Sequence, residues 1–161
     1  MPSIQYDEIY SRFYTKVMAY DLAELSASQS NELMCSWLHS AVFDPYIRRQ
    51  FSNVSMDDKT NVISYTMSYA IDAESDKEYV TELLACGIAY SWVVQKVQNL
   101  TNLYQTFGSS DEKYYSQSAH LAELRNLRDD LKNTIRSMSR DRGYSNNTYL
   151  DGTSASASLR K

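Results

Sequence analysis

Leu83-Leu84-Ala85-Cys86-Gly87-Ile88-Ala89-Tyr90-Ser91-Trp92-Val93-Val94 is a stretch of 12 residues without a charge. It is too short to span a membrane, which takes ~20 residues. As a helix it is apolar on nearly every face, and such a helix is buried on several sides. The helix that contains it is expected to start at Ser75, whose hydroxyl can cap free backbone N–H groups. Asp76 and Glu78 favour its N-terminus, and it should run to about Leu103. Gly87 costs about 1 kcal/mol in a helix relative to Ala, so its place here predicts close approach of a neighbouring helix. This run is the expected centre of a bundle, and the rest of the chain must supply its walls.

On the N-terminal side, Tyr6, Ile9, Tyr10, Phe13 and Val17 recur at spacings of three and four, one apolar stripe of a first helix expected to be capped by Ser3. After a Ser-rich connection, Ser28 or Ser30 can cap a second helix carrying Leu33, Trp37, Leu38, Ala41 and Val42. Pro45 stops it, because a residue before proline is pushed out of the helical region. A short helical turn over Tyr46 to Gln50 is expected next. Ile63, Tyr65, Met67, Tyr69 and Ile71 then alternate with Ser64, Thr66, Ser68 and Ala70, the period of a half-buried strand. Phe51, Val54 and Met56 supply its partner across a polar turn at Asp57 to Thr60, a β-hairpin over about 51–71. A two-stranded hairpin is marginal alone in water, so it should lie on the helices or pair with a neighbouring subunit.

On the C-terminal side, a loop at Phe107 to Asp111 and the lead-in Tyr114 to Ser118 precede a last helix over about Ala119 to Arg140. Leu121, Leu124, Leu127, Leu131, Ile135 and Met138 fall within an arc of roughly 120° and face the core. Arg125, Arg128, Lys132, Arg136 and Arg140 form a basic stripe of similar width beside it. Leu150 to Lys161 is Ser-, Ala- and Thr-rich with no apolar period, so that tail is expected to be disordered. With 4 Gly and 2 Pro in 161 residues, against ~12% for the two together in globular proteins, the chain lacks material for a Gly-rich phosphate loop or a turn-dense sandwich. The fold class expected is mainly α: a small bundle of about four helices with a β-hairpin insertion and an extended C-terminal arm.

The net charge of −4 disfavours indiscriminate nucleic-acid binding. Charge is uneven: residues 1–118 hold 8 basic and 15 acidic groups, a net −7, and residues 119–161 hold 8 and 5, a net +3. Either the two pair within the chain or copies stack head to tail. The basic stripe is correspondingly a solvated face, a contact for an acidic neighbouring subunit, or a phosphate contact. No aromatics interleave on it to stack bases. Tyrosine is abundant, 14 residues. Tyr6, Tyr10 and Tyr14 trace one side of the first helix and fit either core or an interface rim, and Tyr65 and Tyr69 join them as candidate inter-subunit contacts.

Catalytic signatures are missing. Cys35 and Cys86 lie in helical patterns and read as buried small hydrophobes rather than a disulfide. His39 and His120 have no Cys or His neighbour at ligand spacing, so no metal site is expected. Cys35 and His39 share one helix face, Asp57 and Asp58 shape the hairpin turn, and Asp129 pairs with Arg125. No Gly-x-Ser-x-Gly elbow occurs. Neither catalytic residues nor a cofactor are expected, so the chain reads as no enzyme. With no basic-then-apolar leader it reads as a soluble protein of a reducing compartment, and the sequons at Asn53, Asn99 and Asn146 as chance.

Lys113-Tyr114-Tyr115-Ser116-Gln117-Ser118-Ala119-His120-Leu121-Ala122-Glu123-Leu124-Arg125-Asn126-Leu127 and Arg140-Asp141-Arg142-Gly143-Tyr144-Ser145-Asn146, with Trp37-Leu38-His39-Ser40-Ala41 and the apolar run ending in Trp92, resemble the small head–tail connector (neck or adaptor) proteins of siphophages. The resemblance extends from Tyr6 to about Leu150. It implies a virion structural protein of the neck, made in the host cytoplasm, with a helical connector domain over 1–143 and an arm over 144–161. The implied partners are itself, in a ring of about twelve copies, the portal protein, a stopper or tail-completion protein, and DNA passing through the lumen without sequence specificity, with no membrane. Tyr144, Asn146, Asn147, Tyr149 and Leu150 become docking-arm candidates, against an ordinary frayed C-terminus. The competing expectation is a small helical regulator that binds a host protein or nucleic acid.

Overall fold

The computed structural model of the chain describes residues 1–17, 19, 22, 24–106 and 111–145. In chain order its elements are β1 (Ser3–Gln5), α1 (Tyr6–Lys16), α2 (Ala27–Val42), α3 (Pro45–Arg48), β2 (Phe51–Asp57), β3 (Val62–Met67), α4 (Ala73–Thr106) and α5 (Asp111–Ser145). The fold is mainly helical with a small antiparallel sheet. Among the described residues no helix is long and apolar enough to cross a membrane.

The uncharged run occupies the middle of α4, against which α1, α2 and α5 all pack. Leu83, Leu84, Ala85, Ile88, Ala89 and Val93 are wholly buried there, and burial of each large side chain stabilises the fold by about 1.5–3 kcal/mol. Gly87 sits where α2 crosses. A Cβ on it would lie 2.5 Å from Ala41 Cβ, so only hydrogen permits that approach. On α5 the expected stripe meets α4: Leu121, Leu124 and Ile135 are buried, and Leu127, Leu131 and Met138 pack half-buried beside them.

Helix starts follow chemistry the sequence only partly signalled. Helix α2 begins earlier than expected, capped by Ser26 in a reciprocal box with Gln29. Asp44 accepts from Tyr46 N–H and caps α3, with Pro45 in its first turn. At α4 the cap is Asp72 rather than Ser75. Its carboxylate accepts the backbone N–H groups of Glu74 and Ser75 at 3.1 and 2.8 Å. Those bonds, chiefly to Ser75, hold the Asp72 carboxyl below the usual range.

The expected hairpin is present, and a third strand joins it. The sheet order is β1-β3-β2, with Ile4 opposite Ile63 and Val54 opposite Tyr65. Ser3, expected to cap a helix, lies in a strand, and α1 starts at Tyr6 without a side-chain cap. The Tyr6 N–H instead donates to the carbonyl of Asn61 at 2.9 Å in the hairpin turn, where Asn61 takes φ 54°, a conformation Asn tolerates. A carbonyl from a distant turn thus replaces a local hydroxyl, and the chain's own N-terminus supplies the hairpin with a third strand along β3. Strand β3 stops at Met67, so Tyr69 and Ile71 stand outside the sheet and exposed.

The last helix is longer than expected at both ends: the lead-in over 114–118 is helical, and α5 continues through Gly143 to Ser145. A buried ion pair holds its C-terminal turns. Arg142 pairs with Asp76 at the start of α4, donates to the Tyr69 carbonyl at 3.1 Å, and lies 4.6 Å over the Tyr79 ring. The first residues of the arm expected over 144–161, Tyr144 and Ser145, are therefore still helix. Of the loop expected at Phe107 to Asp111, Asp111 begins α5, whereas residues 107–110, Asn146, Asn147, Tyr149, Leu150 and the Ser/Ala tail lie outside the described residues.

Candidate functional site

Three segments far apart in sequence meet at the hairpin turn. Cys35 and His39 are one helical turn apart on α2 and face the same way, as an i, i+4 spacing requires. Tyr6 is the first residue of α1. Asp58, at the β2–β3 turn, reaches between them: its Oδ1 accepts from the Tyr6 hydroxyl at 2.7 Å and from the Cys35 thiol at 3.7 Å. His39 Nε2 lies 3.0 and 3.1 Å from the two carboxylate oxygens. The site is open, with the His39 and Asp58 side chains 37% and 53% exposed.

Donors converging on one carboxylate favour its charged form. The Tyr6 hydroxyl, then the His39 contacts, hold the Asp58 carboxyl below the usual carboxylate range. The same geometry pushes the donors up. Burial, then the Asp58 charge and hydrogen bond, raises the Cys35 thiol. Burial, then the bond to Asp58, raises Tyr6, and burial raises Tyr10. A Cys–His pair is a nucleophile when a nearby cation stabilises the thiolate. Here a carboxylate stands between the two, so the arrangement protonates the thiol instead. What it brings together is one sulfur, one imidazole nitrogen and one carboxylate, with ligand atoms all within 4.8 Å of one another. The expectation that neither His has a Cys or His neighbour at ligand spacing weighed no carboxylate, and Asp58 comes to His39 only in three dimensions. The Cys35–His39 spacing was the available signal.

The residues singled out as contacts separate into two groups. Tyr6, Tyr10 and Tyr65 are buried in the chain's own core, so in this fold they present no ring to a neighbour. Tyr14 and Tyr69 are exposed, 49% and 47%. In the basic stripe Arg125, Lys132, Arg136 and Arg140 are exposed. Arg128, rather than Arg125, pairs with Asp129, at 2.9 Å. Arg136 lies 5.1 Å over the Tyr46 ring and Arg140 pairs with Asp141.

One end of the molecule gathers a member from each selected set. Tyr69, Arg140 and Tyr144 line an open groove of about 370 Å³ together with Arg49 and Gln50. Tyr144 belongs to α5 rather than to an arm and is 57% exposed. The floor is fixed: Gln50 Nε2 donates to the Ser139 carbonyl at 3.2 Å, and the Ser139 hydroxyl donates to the Tyr46 carbonyl at 2.9 Å. Two exposed aromatic rings flanked by two arginines over a rigid floor can take up a partner segment that is aromatic, acidic or both. No protein-family model, no curated protein and no solved structure matches the chain.

Proposed function

We propose that this chain is a structural subunit without catalytic activity, a head–tail connector of the siphophage type, working as a homo-oligomeric ring that joins a portal to a tail or stopper. The observation that carries the proposal is the groove in which Tyr69, Arg140 and Tyr144 come together. Its two aromatic rings, Tyr69 and Tyr144, are about half exposed, beside the exposed Arg49 and Arg140. The outer face of α5 adds a row of exposed cations, Arg125, Lys132 and Arg136, on a protein of net charge −4. Heterologous contacts between unlike patches are what close a ring. The mechanism is geometric: the rigid α4–α5 pair fixes the angle between neighbours, and the groove at its end seats the next component.

Negative-stain microscopy and native mass spectrometry of the purified chain, alone and with its portal, test this reading. Rings that decorate the portal are expected, and Tyr69→Ala with Tyr144→Ala should abolish decoration while leaving circular dichroism unchanged. A persistent monomer that leaves the portal bare refutes it. Salt-sensitive DNA binding by that monomer would instead identify the small regulator.

A further inference from the structure

We infer that Cys35, His39 and Asp58 form a binding site for one divalent transition-metal ion, Zn²⁺ being the best fit, which clasps the hairpin turn to α2. The inference rests on the donor set, not on the connector reading. One thiolate, one neutral imidazole and one carboxylate are a zinc ligand set with a fourth position left for water. The mixture of soft sulfur with nitrogen and oxygen selects against Mg²⁺ and Ca²⁺, which take oxygen ligands.

The geometry is near that of a bound site before any ion enters. In tetrahedral zinc, bonds of about 2.3 Å to sulfur and 2.0–2.1 Å to nitrogen and oxygen place ligand atoms about 3.3–3.6 Å apart. Here Cys35 Sγ lies 3.7 Å, and His39 Nε2 3.0 Å, from Asp58 Oδ1, and the third edge is no longer than 4.8 Å. The hydrogen bonds that now join these groups are the contacts an ion would replace. Binding displaces the thiol proton to solvent and forms a Zn–S bond. The ion's two positive charges are then balanced by one thiolate and one carboxylate, leaving a neutral site at a half-exposed surface.

The supporting shell is also in place. The Tyr6 hydroxyl donates to the Asp58 carboxylate at 2.7 Å, the kind of contact that orients a ligand and whose loss weakens metal affinity about 10–100-fold. Cys35 and His39 project from a regular helix, α2, that Ser26 caps. Because the Tyr6 N–H is held by the Asn61 carbonyl, an ion here would tie α1, α2 and the sheet at one point.

The test uses the full chain, stripped of metal and titrated with Zn²⁺ and, separately, with Co²⁺. One ion per chain is expected, with a rise in Tm on adding Zn²⁺. The Co²⁺ complex should show a thiolate-to-cobalt charge-transfer band and the strong visible bands of four-coordinate cobalt. Cys35→Ser, His39→Gln and Asp58→Asn should each abolish these signals, Cys86→Ser should keep them, and Tyr6→Phe should weaken affinity by about tenfold or more. Circular dichroism of the metal-free variants separates lost binding from lost folding, and the most exposed ligand position, Asp58, serves if Cys35→Ser does not fold. The inference is overturned by a Co²⁺ spectrum without the thiolate band, by undiminished binding in folded Asp58→Asn, or by Mg²⁺ and Zn²⁺ binding equally well.

Discussion

Gly87→Ala is a substitution that helix propensity alone would call favourable, by about 1 kcal/mol. The packing reverses the sign. The added methyl would sit 2.5 Å from Ala41 Cβ, 3.0 Å from Ile47 Cδ1 and 3.3 Å from Ala41 Cα, where ordinary contacts are 3.4–4 Å. Ile47 can turn its terminal methyl away. Ala41 has no torsion that moves its Cβ, so α2 must shift off α4 by about 1 Å or the side chains around the crossing must strain, at the upper end of the 1–3 kcal/mol that overpacking costs. Subtracting the propensity gain leaves a destabilisation of about 2 kcal/mol, or a fall in Tm of roughly 4–8 °C for a domain of this size. Urea unfolding followed by far-ultraviolet circular dichroism measures it. Ala41→Gly removes the opposing methyl, so in the double variant it should recover about 1–2 kcal/mol relative to the sum of the single effects. Gly143→Ala is the matched control: nothing lies within 4 Å of the added carbon, and the helix should gain up to about 1 kcal/mol. A Gly87→Ala protein as stable as the parent, or no coupling to position 41, would refute the close crossing of α2 and α4.

Removing one partner of the buried Arg142–Asp76 pair should cost about 3–5 kcal/mol, because the other charge is left in the core. Arg142→Met with Asp76→Leu should recover most of that in the same urea assay. Asp72 has a folded pKa below its unfolded value, so the unfolded state binds more protons as pH falls. Its contribution is present above the unfolded value of about 3.9 and is lost as pH drops through the folded one. Asp72→Asn, which can still cap but does not titrate, should therefore flatten the acid limb of a Tm-against-pH curve, and an unchanged slope would count against the assignment of that cap. Arg125→Glu with Lys132→Glu changes only exposed positions, so stability should move by no more than about 0.5 kcal/mol per site, while on the ring proposed above the mass distribution seen by native mass spectrometry should shift to smaller species. Retained rings would remove the basic stripe from the assembly contacts.

The sequence by itself determined the helical class, the apolar centre of α4, the stripe of α5 and the existence of β2 and β3, because each is written as a local period. The 12 uncharged residues from Leu83, the leucine spacing from Leu121 and the alternation from Ile63 bury one surface whatever surrounds them. Only the tertiary structure decided features that depend on a partner distant in sequence. Ser3–Gln5 is too short to show a period and is a strand because β3 offers it an edge. The last helix was expected to end at about Arg140 and an arm to begin at 144, yet α5 holds through Ser145, with Arg142 bound to Asp76. Tyr6 and Tyr10 follow a spacing that suits a core as well as an interface, and in the fold both are buried in the common core. Asp58 sits in a turn that any polar residue would satisfy. It becomes a candidate ligand because the hairpin's turn meets α2 at Cys35 and His39, which had stood one turn apart with no third group in view. Periodicity reports which face of a segment is buried; which atoms meet there is set by how the segments cross.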